Sequence, residues 1–61
     1  MRYFCSFSYT GDSGVLFGNH IFTPDVDPYD DIEEFIGSFR EEMRIFGYNN
    51  AILLNYKRVK P

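Results

Sequence analysis

A chain of 61 residues with a formal net charge of −3 and one cysteine is expected to form a single domain spanning residues 1–61. The lone cysteine excludes an intramolecular disulfide and a four-cysteine metal site. The negative balance disfavours DNA or RNA as the main partner, because non-specific nucleic-acid affinity comes mostly from Lys and Arg on phosphates.

Reading begins at an N-terminus, Met1-Arg2-Tyr3-Phe4-Cys5, without the apolar run of a signal peptide. No apolar stretch nears the roughly 20 residues needed to cross a bilayer. With no disulfide framework, these features lead to the expectation of a soluble cytoplasmic protein. Charge is uneven: the acids concentrate between Asp25 and Glu42, and Lys57, Arg58 and Lys60 close the chain. Seven Phe and five Tyr are more rings than so small a domain readily buries.

Residues 2–10 alternate as a strand, with Tyr3, Cys5, Phe7 and Tyr9 on one face and Phe4, Ser6 and Ser8 on the other. Gly11-Asp12-Ser13-Gly14 has turn chemistry. Residues 15–23 form the return strand, with Gly18 a weak spot or bulge that leaves the facing of His20 and Phe22 open. Asp27 is the expected N-cap and Pro28 the first helical residue. The helix should then run from about 28 to 46. Asp30, Asp31, Glu33 and Glu34 suit its positive end. Ile32, Phe35, Ile36, Phe39, Met43 and Phe46 make its apolar stripe. Gly47 ends it. Gly37 lies off the stripe, as a tolerated defect or a point of close approach. Ile45 also falls off the stripe, near enough to the helix end to be covered there.

A third strand spans 51–59, with Ile52, Leu54 and Tyr56 on one face and Leu53, Asn55 and Lys57 on the other. The order ββαβ gives an α+β fold: a three-stranded antiparallel sheet in order 2-1-3 with the helix across one face. Tyr3, Cys5, Phe7, Ile52, Leu54 and Tyr56 should face the helix, and the second sheet face is left uncovered.

No catalytic, metal or cofactor site is expected. Pro28 and Tyr29 break the calcium-loop pattern that Asp25, Asp27, Asp30 and Asp31 suggest. His20 has no carboxylate or nucleophile arranged around it in the sequence and reads as an ordinary strand residue. Cys5 alternates with aromatics and reads as a small core hydrophobe. The Gly11–Gly14 segment lacks the length and the Lys-Ser/Thr pair of a phosphate loop.

Tyr3-Phe4-Cys5-Ser6-Phe7-Ser8-Tyr9, Phe17-Gly18-Asn19 and Ile52-Leu53-Leu54-Asn55-Tyr56 resemble a pattern in small bacterial and bacteriophage proteins. Those have an aromatic first strand, a Gly-Phe-Gly-Asn-like second strand and an Ile-Leu-Asn-Tyr-like final strand. The resemblance implies a phage or prophage origin and carries no activity.

The expected function is a non-enzymatic protein-interaction module, a regulator or inhibitor acting by surface occlusion and self-associating as a homodimer. Phe4, Phe22 and Leu53 on the sheet, and Asp30, Glu34 and Glu41 on the helix, are the expected partner contacts. The alternative is a nucleic-acid or nucleotide binder, with Tyr3, Phe7 and Tyr9 stacking on bases and Lys57, Arg58 and Lys60 on phosphates. An enzyme built on His20 or Cys5 would need a pocket shared between two chains.

Overall fold

The computed structural model describes residues 1–59. Strand β1 covers Arg2–Gly11, β2 Gly14–Phe22, helix α1 Ile32–Ile45 and β3 Asn49–Val59. The sheet is antiparallel throughout, in the order β2-β1-β3, and the fold is the expected α+β arrangement. No helix among the described residues is long and apolar enough to cross a membrane.

The β1–β2 hairpin pairs without interruption from Tyr3 opposite Phe22 to Gly11 opposite Gly14. Gly14 takes φ +124°, a conformation that costs glycine little and other residues much. Because Gly18 introduces no bulge, the facing that the sequence left open is settled. Phe22 points to the helix side and is 3 % exposed.

The helix is shorter than expected at its start. Asp27 organises a separate turn over Pro28–Asp30: its carbonyl accepts from the Asp30 and Asp31 amides, and its Oδ1 from the Tyr29 amide at 2.8 Å. Asp31 is the true N-cap. It has extended backbone and accepts from the Glu34 amide at 3.1 Å, satisfying a first-turn donor that has no intrahelical partner. At the far end Gly47 takes φ +91°. Its amide bonds the Arg44 carbonyl, and the Tyr48 amide bonds the Met43 carbonyl at 2.9 Å, a Schellman closure. Phe46 is the C-cap. It is exposed, as are Ile32 and Ile45, so the buried stripe narrows to Phe35, Phe39 and Met43, with Ile36 packed beside it.

Strand β3 departs most from the sequence reading. Ser6 pairs with Asn55, but the next residue, Phe7, pairs with Leu53, leaving Leu54 as an extra residue. A one-residue bulge reverses the facing of the residues beyond it. Leu53 and Ala51 therefore turn to the core, while Ile52 and Leu54 are 57 % and 55 % exposed. A second shift lies between Ser8 and Thr10, near Asn50, which has φ +52°.

The core is Tyr3, Cys5, Phe7, Phe22, Phe35, Phe39, Met43 and Ala51. Its rings meet mostly edge to face: Phe7–Phe39 centroids lie 5.7 Å apart at 67° and Phe22–Phe39 5.6 Å apart at 80°. Such pairs add about 0.5–1.5 kcal/mol each beyond the area they bury. Tyr9, Tyr48 and Tyr56 pack at the core's margin.

Candidate functional site

With one face of the sheet under the helix, the other carries the even-numbered side chains of β1 and their partners. Cross-strand register arranges them in rows. Ile21, Phe4 and Lys57 form the first, Asn19, Ser6 and Asn55 the second, Phe17, Ser8 and Ile52 the third. Val15 and Thr10 extend the hairpin end, and Arg2 lies beyond the first row.

Phe4, Val15, Phe17, Ile21 and Ile52 are all exposed, Phe17 to 73 %. Strand positions facing water on one side normally carry polar residues. Here the outer rows carry apolar Phe4 and Ile21 beside Lys57, and Phe17 and Ile52 beside Ser8; between them lies a polar row, where the Ser6 hydroxyl donates to Asn19 Oδ1 at 3.0 Å. Ser8 is only 8 % exposed although it lies on this open face. Its cross-strand neighbours on the two sides are the larger Phe17 and Ile52.

The expected contact residues separate on this frame. Phe4 stands on the open face. Phe22 does not: it lies between Phe35 and Phe39, with centroids 5.7 and 5.6 Å away. Leu53 likewise packs against the core because of the bulge. Asp30, Glu34 and Glu41 are exposed, the two glutamates on the helix and Asp30 in the turn before it. Ile21 and Ile52 are the residues that sequence reading missed, while Phe17 is one of the rings that the expected core leaves unplaced. Phe17 and Ile21 share the parity of Phe4 across an unbroken hairpin, which an unbulged reading of Gly18 would have revealed.

The aromatic surface required for base stacking is not where the alternative reading placed it. Tyr3 and Phe7 are buried, and Tyr9 packs against Phe7 and Tyr48. Lys57 and Arg58 are exposed; Lys60 lies outside the described residues.

A second cluster gathers Cys5, His20 and Glu42. Cys5 pairs directly with His20, and His20 Nε2 lies 2.5 Å from Glu42 Oε2, tying β2 to the helix. The Phe46 ring stands beside the imidazole, 5.3 Å between centroids. Residue types alone suggest thiol chemistry, but Cys5 is fully buried and its thiol is directed at the Tyr3 carbonyl. Burial, then the Glu42 charge, pushes that thiol up to about 11. A nucleophilic cysteine needs an accessible thiolate, so His20 and Glu42 are read as a tie between sheet and helix.

An open groove of about 650 Å³ runs between the helix and the segment after β2. Phe22, Ile45 and Phe46 line it beside Asp25, Glu34, Glu41 and Glu42. Glu42 is engaged by His20, and Glu41 by Arg44. The Arg44 guanidinium, by hydrogen bond and by charge, holds the Glu41 carboxyl below its ordinary range.

Comparison with protein-family models, with curated proteins and with solved structures finds no match for this chain.

Proposed function

We propose that this chain is a non-enzymatic protein-interaction module that works by covering, and being covered at, the open face of its sheet. The observation that carries the reading is that Phe4, Phe17, Ile21 and Ile52 are all exposed on one face of the sheet. A two-layer domain normally buries the apolar face of its sheet against another element, and here two exposed apolar pairs, Phe4 with Ile21 and Phe17 with Ile52, stand on that face on either side of a polar row. The helix face, with its acidic groove, is a secondary surface that steers approach by charge. The resemblance to small phage proteins suits a regulator or inhibitor acting by occlusion in the bacterial cytoplasm.

Phe17→Asp with Ile52→Asp tests this reading. Neither side chain is in the core, so the variant should fold, as circular dichroism would verify. It should lose binding to every protein that the wild type retains, copies of itself included. Glu34→Lys should leave that binding in place. Equal binding by the wild type and the double variant would overturn the reading. Salt-sensitive binding of a labelled oligonucleotide, lost on Lys57→Glu, would replace it with the nucleic-acid alternative.

A further inference from the structure

We propose that the groove between α1 and the segment after β2 is a second binding site, independent of the open sheet face, and that it takes a short cationic segment of a partner protein with an apolar side chain at one end.

The groove has a direction. Glu34, Ser38, Glu41 and Ile45 recur at helical spacing, so they share one face of α1, and that face is one wall of the groove. The chain leaving β2 is the other. β2 passes Phe46 at His20 and Phe35 at Phe22, so the segment carrying Asp25 leaves the strand at the Glu34 end of the helix. Carboxylates thus mark one end of the groove. Ile45 and Phe46, 71 % and 61 % exposed, mark the other.

The charge is not balanced within the chain. Asp25, Glu34, Glu41 and Glu42 line the groove, and among the described residues no Lys or Arg does. Arg44 engages Glu41 and His20 engages Glu42. Asp25 and Glu34 have no ion-pair partner among the described residues.

Gly37 supplies an independent observation. It lies on the same wall, and a β-carbon there would meet nothing within 4 Å. Glycine inside a helix is less favourable than alanine, yet no side chain of this protein uses the space that it leaves. The clearance is available to an incoming chain, which could approach the helix backbone closely.

Electrostatics chooses the occupant. A second copy, at net charge −3, would approach an acidic groove against like charge, and a nucleic acid more so. A bare metal ion lacks a ligand set, because no group of three His, Cys, Asp or Glu among the described residues could hold one. A cationic peptide suits both ends: Lys or Arg beside Asp25 and Glu34, and an apolar side chain against Ile45 and Phe46. Glu34 and Ile45 stand about 16 Å apart along the helix at 1.5 Å per residue, a span that an extended segment covers in about five residues. Exposed ion pairs contribute little each, so the isolated segment should bind weakly, with a dissociation constant on the order of 0.1–1 mM. A partner already docked on the open face would present it at high effective concentration.

Titration of the isotopically labelled chain, followed by nuclear magnetic resonance, tests the proposal. The probe is a nine-residue peptide with two arginines at one end, two leucines at the other and a glycine-serine spacer, tried also with its sequence reversed. One of the two should give saturable shifts at Glu34, Gly37 and Ile45. Gly37→Leu fills the groove and should weaken binding on the order of tenfold or more. If that variant alters the helix, Asp25→Asn with Glu34→Gln keeps the test open. It should weaken binding about fivefold and flatten its salt dependence.

Phe17→Asp with Ile52→Asp should bind the peptide as the wild type does, which separates this site from the open face. Loss of the peptide in that variant, with binding kept in Gly37→Leu, would move the contact to the sheet and overturn the proposal. So would the absence of shifts with either peptide at millimolar concentration, or equal binding of a peptide with glutamates in place of the arginines. Displacement of the peptide by millimolar calcium at fixed ionic strength would make the groove a cation site instead. Shifts of Glu34 and Ile45 on concentrating the chain alone would make its occupant a second copy.

Discussion

Gly18 lies directly opposite Phe7 in the hairpin, and the Phe7 ring occupies the space where a side chain at 18 would stand. A β-carbon added at Gly18 would come within 3.0 Å of the ring's Cζ and 3.4 Å of Cε1. That ring is itself held by Tyr9, Phe39 and Tyr48. The glycine within the unbroken β2 is thus what leaves room for the Phe7 ring among Tyr9, Phe39 and Tyr48.

Gly18→Ala should therefore destabilise the fold by about 1–3 kcal/mol, the usual cost of forcing extra volume into a packed core. Urea unfolding followed by circular dichroism would measure it. An unchanged or raised midpoint would mean that Phe7 can move aside.

Gly37 predicts the opposite sign. A β-carbon there meets nothing within 4 Å, and the residue sits inside α1. Gly37→Ala should stabilise by about 0.5–1 kcal/mol, through helix propensity and a less flexible unfolded chain. The same urea series reads it, and a loss of stability would show that Gly37 is needed for close packing after all.

Strand β3 separates two neighbouring leucines. Leu53→Asp puts a charge into the core margin and should abolish cooperative unfolding. Leu54→Asp, on the extra residue of the bulge, should stay within about 0.5 kcal/mol of wild type, as exposed substitutions do. Thermal melts of the two variants, at concentrations that keep the chain monomeric, distinguish them. The reverse ranking would restore the unbulged register with Leu54 inside.

Cys5 should be protected from thiol reagents in the native state at pH 8 and react freely in denaturant. The sign of its pH dependence is set by burial, which raises the folded thiol from 9.0 to about 11. Its contribution to stability is complete below the unfolded thiol's pKa and is lost as pH rises through the folded value. Stability should thus decline between about pH 9 and 11, less so in Cys5→Ala. Rapid native labelling at pH 8 would contradict the buried placement.

How much of the fold and contact surface was legible in the sequence depends on which element is read. Period-two alternation placed Tyr3, Cys5 and Phe7 correctly because β1 is central and pairs on both sides. Phe35, Phe39 and Met43 emerged from helical spacing. The order β2-β1-β3 came from chain connectivity. The helix start was misplaced because Asp27 and Asp31 are both competent caps. Asp31 with Glu34 three residues later is the usual spacing at a helix N-terminus, and that signal favours the later start. The Leu54 bulge had no local mark: Ile-Leu-Leu offers a leucine to either face, and only pairing with β1 decides. That ambiguity moved Ile52 from the expected core to the open face and Leu53 the other way.

The central claim, that the open sheet face is the contact surface, is tested most directly by a dilution series of nuclear magnetic resonance spectra on the isotopically labelled chain. The Val15, Ile21 and Ile52 methyls and the Phe4 and Phe17 ring signals should shift with concentration, while Glu33 and Arg40 on the helix stay fixed. Shifts confined to the helix, or to the outer amides of β2 and β3, would contradict the account and place the contact elsewhere.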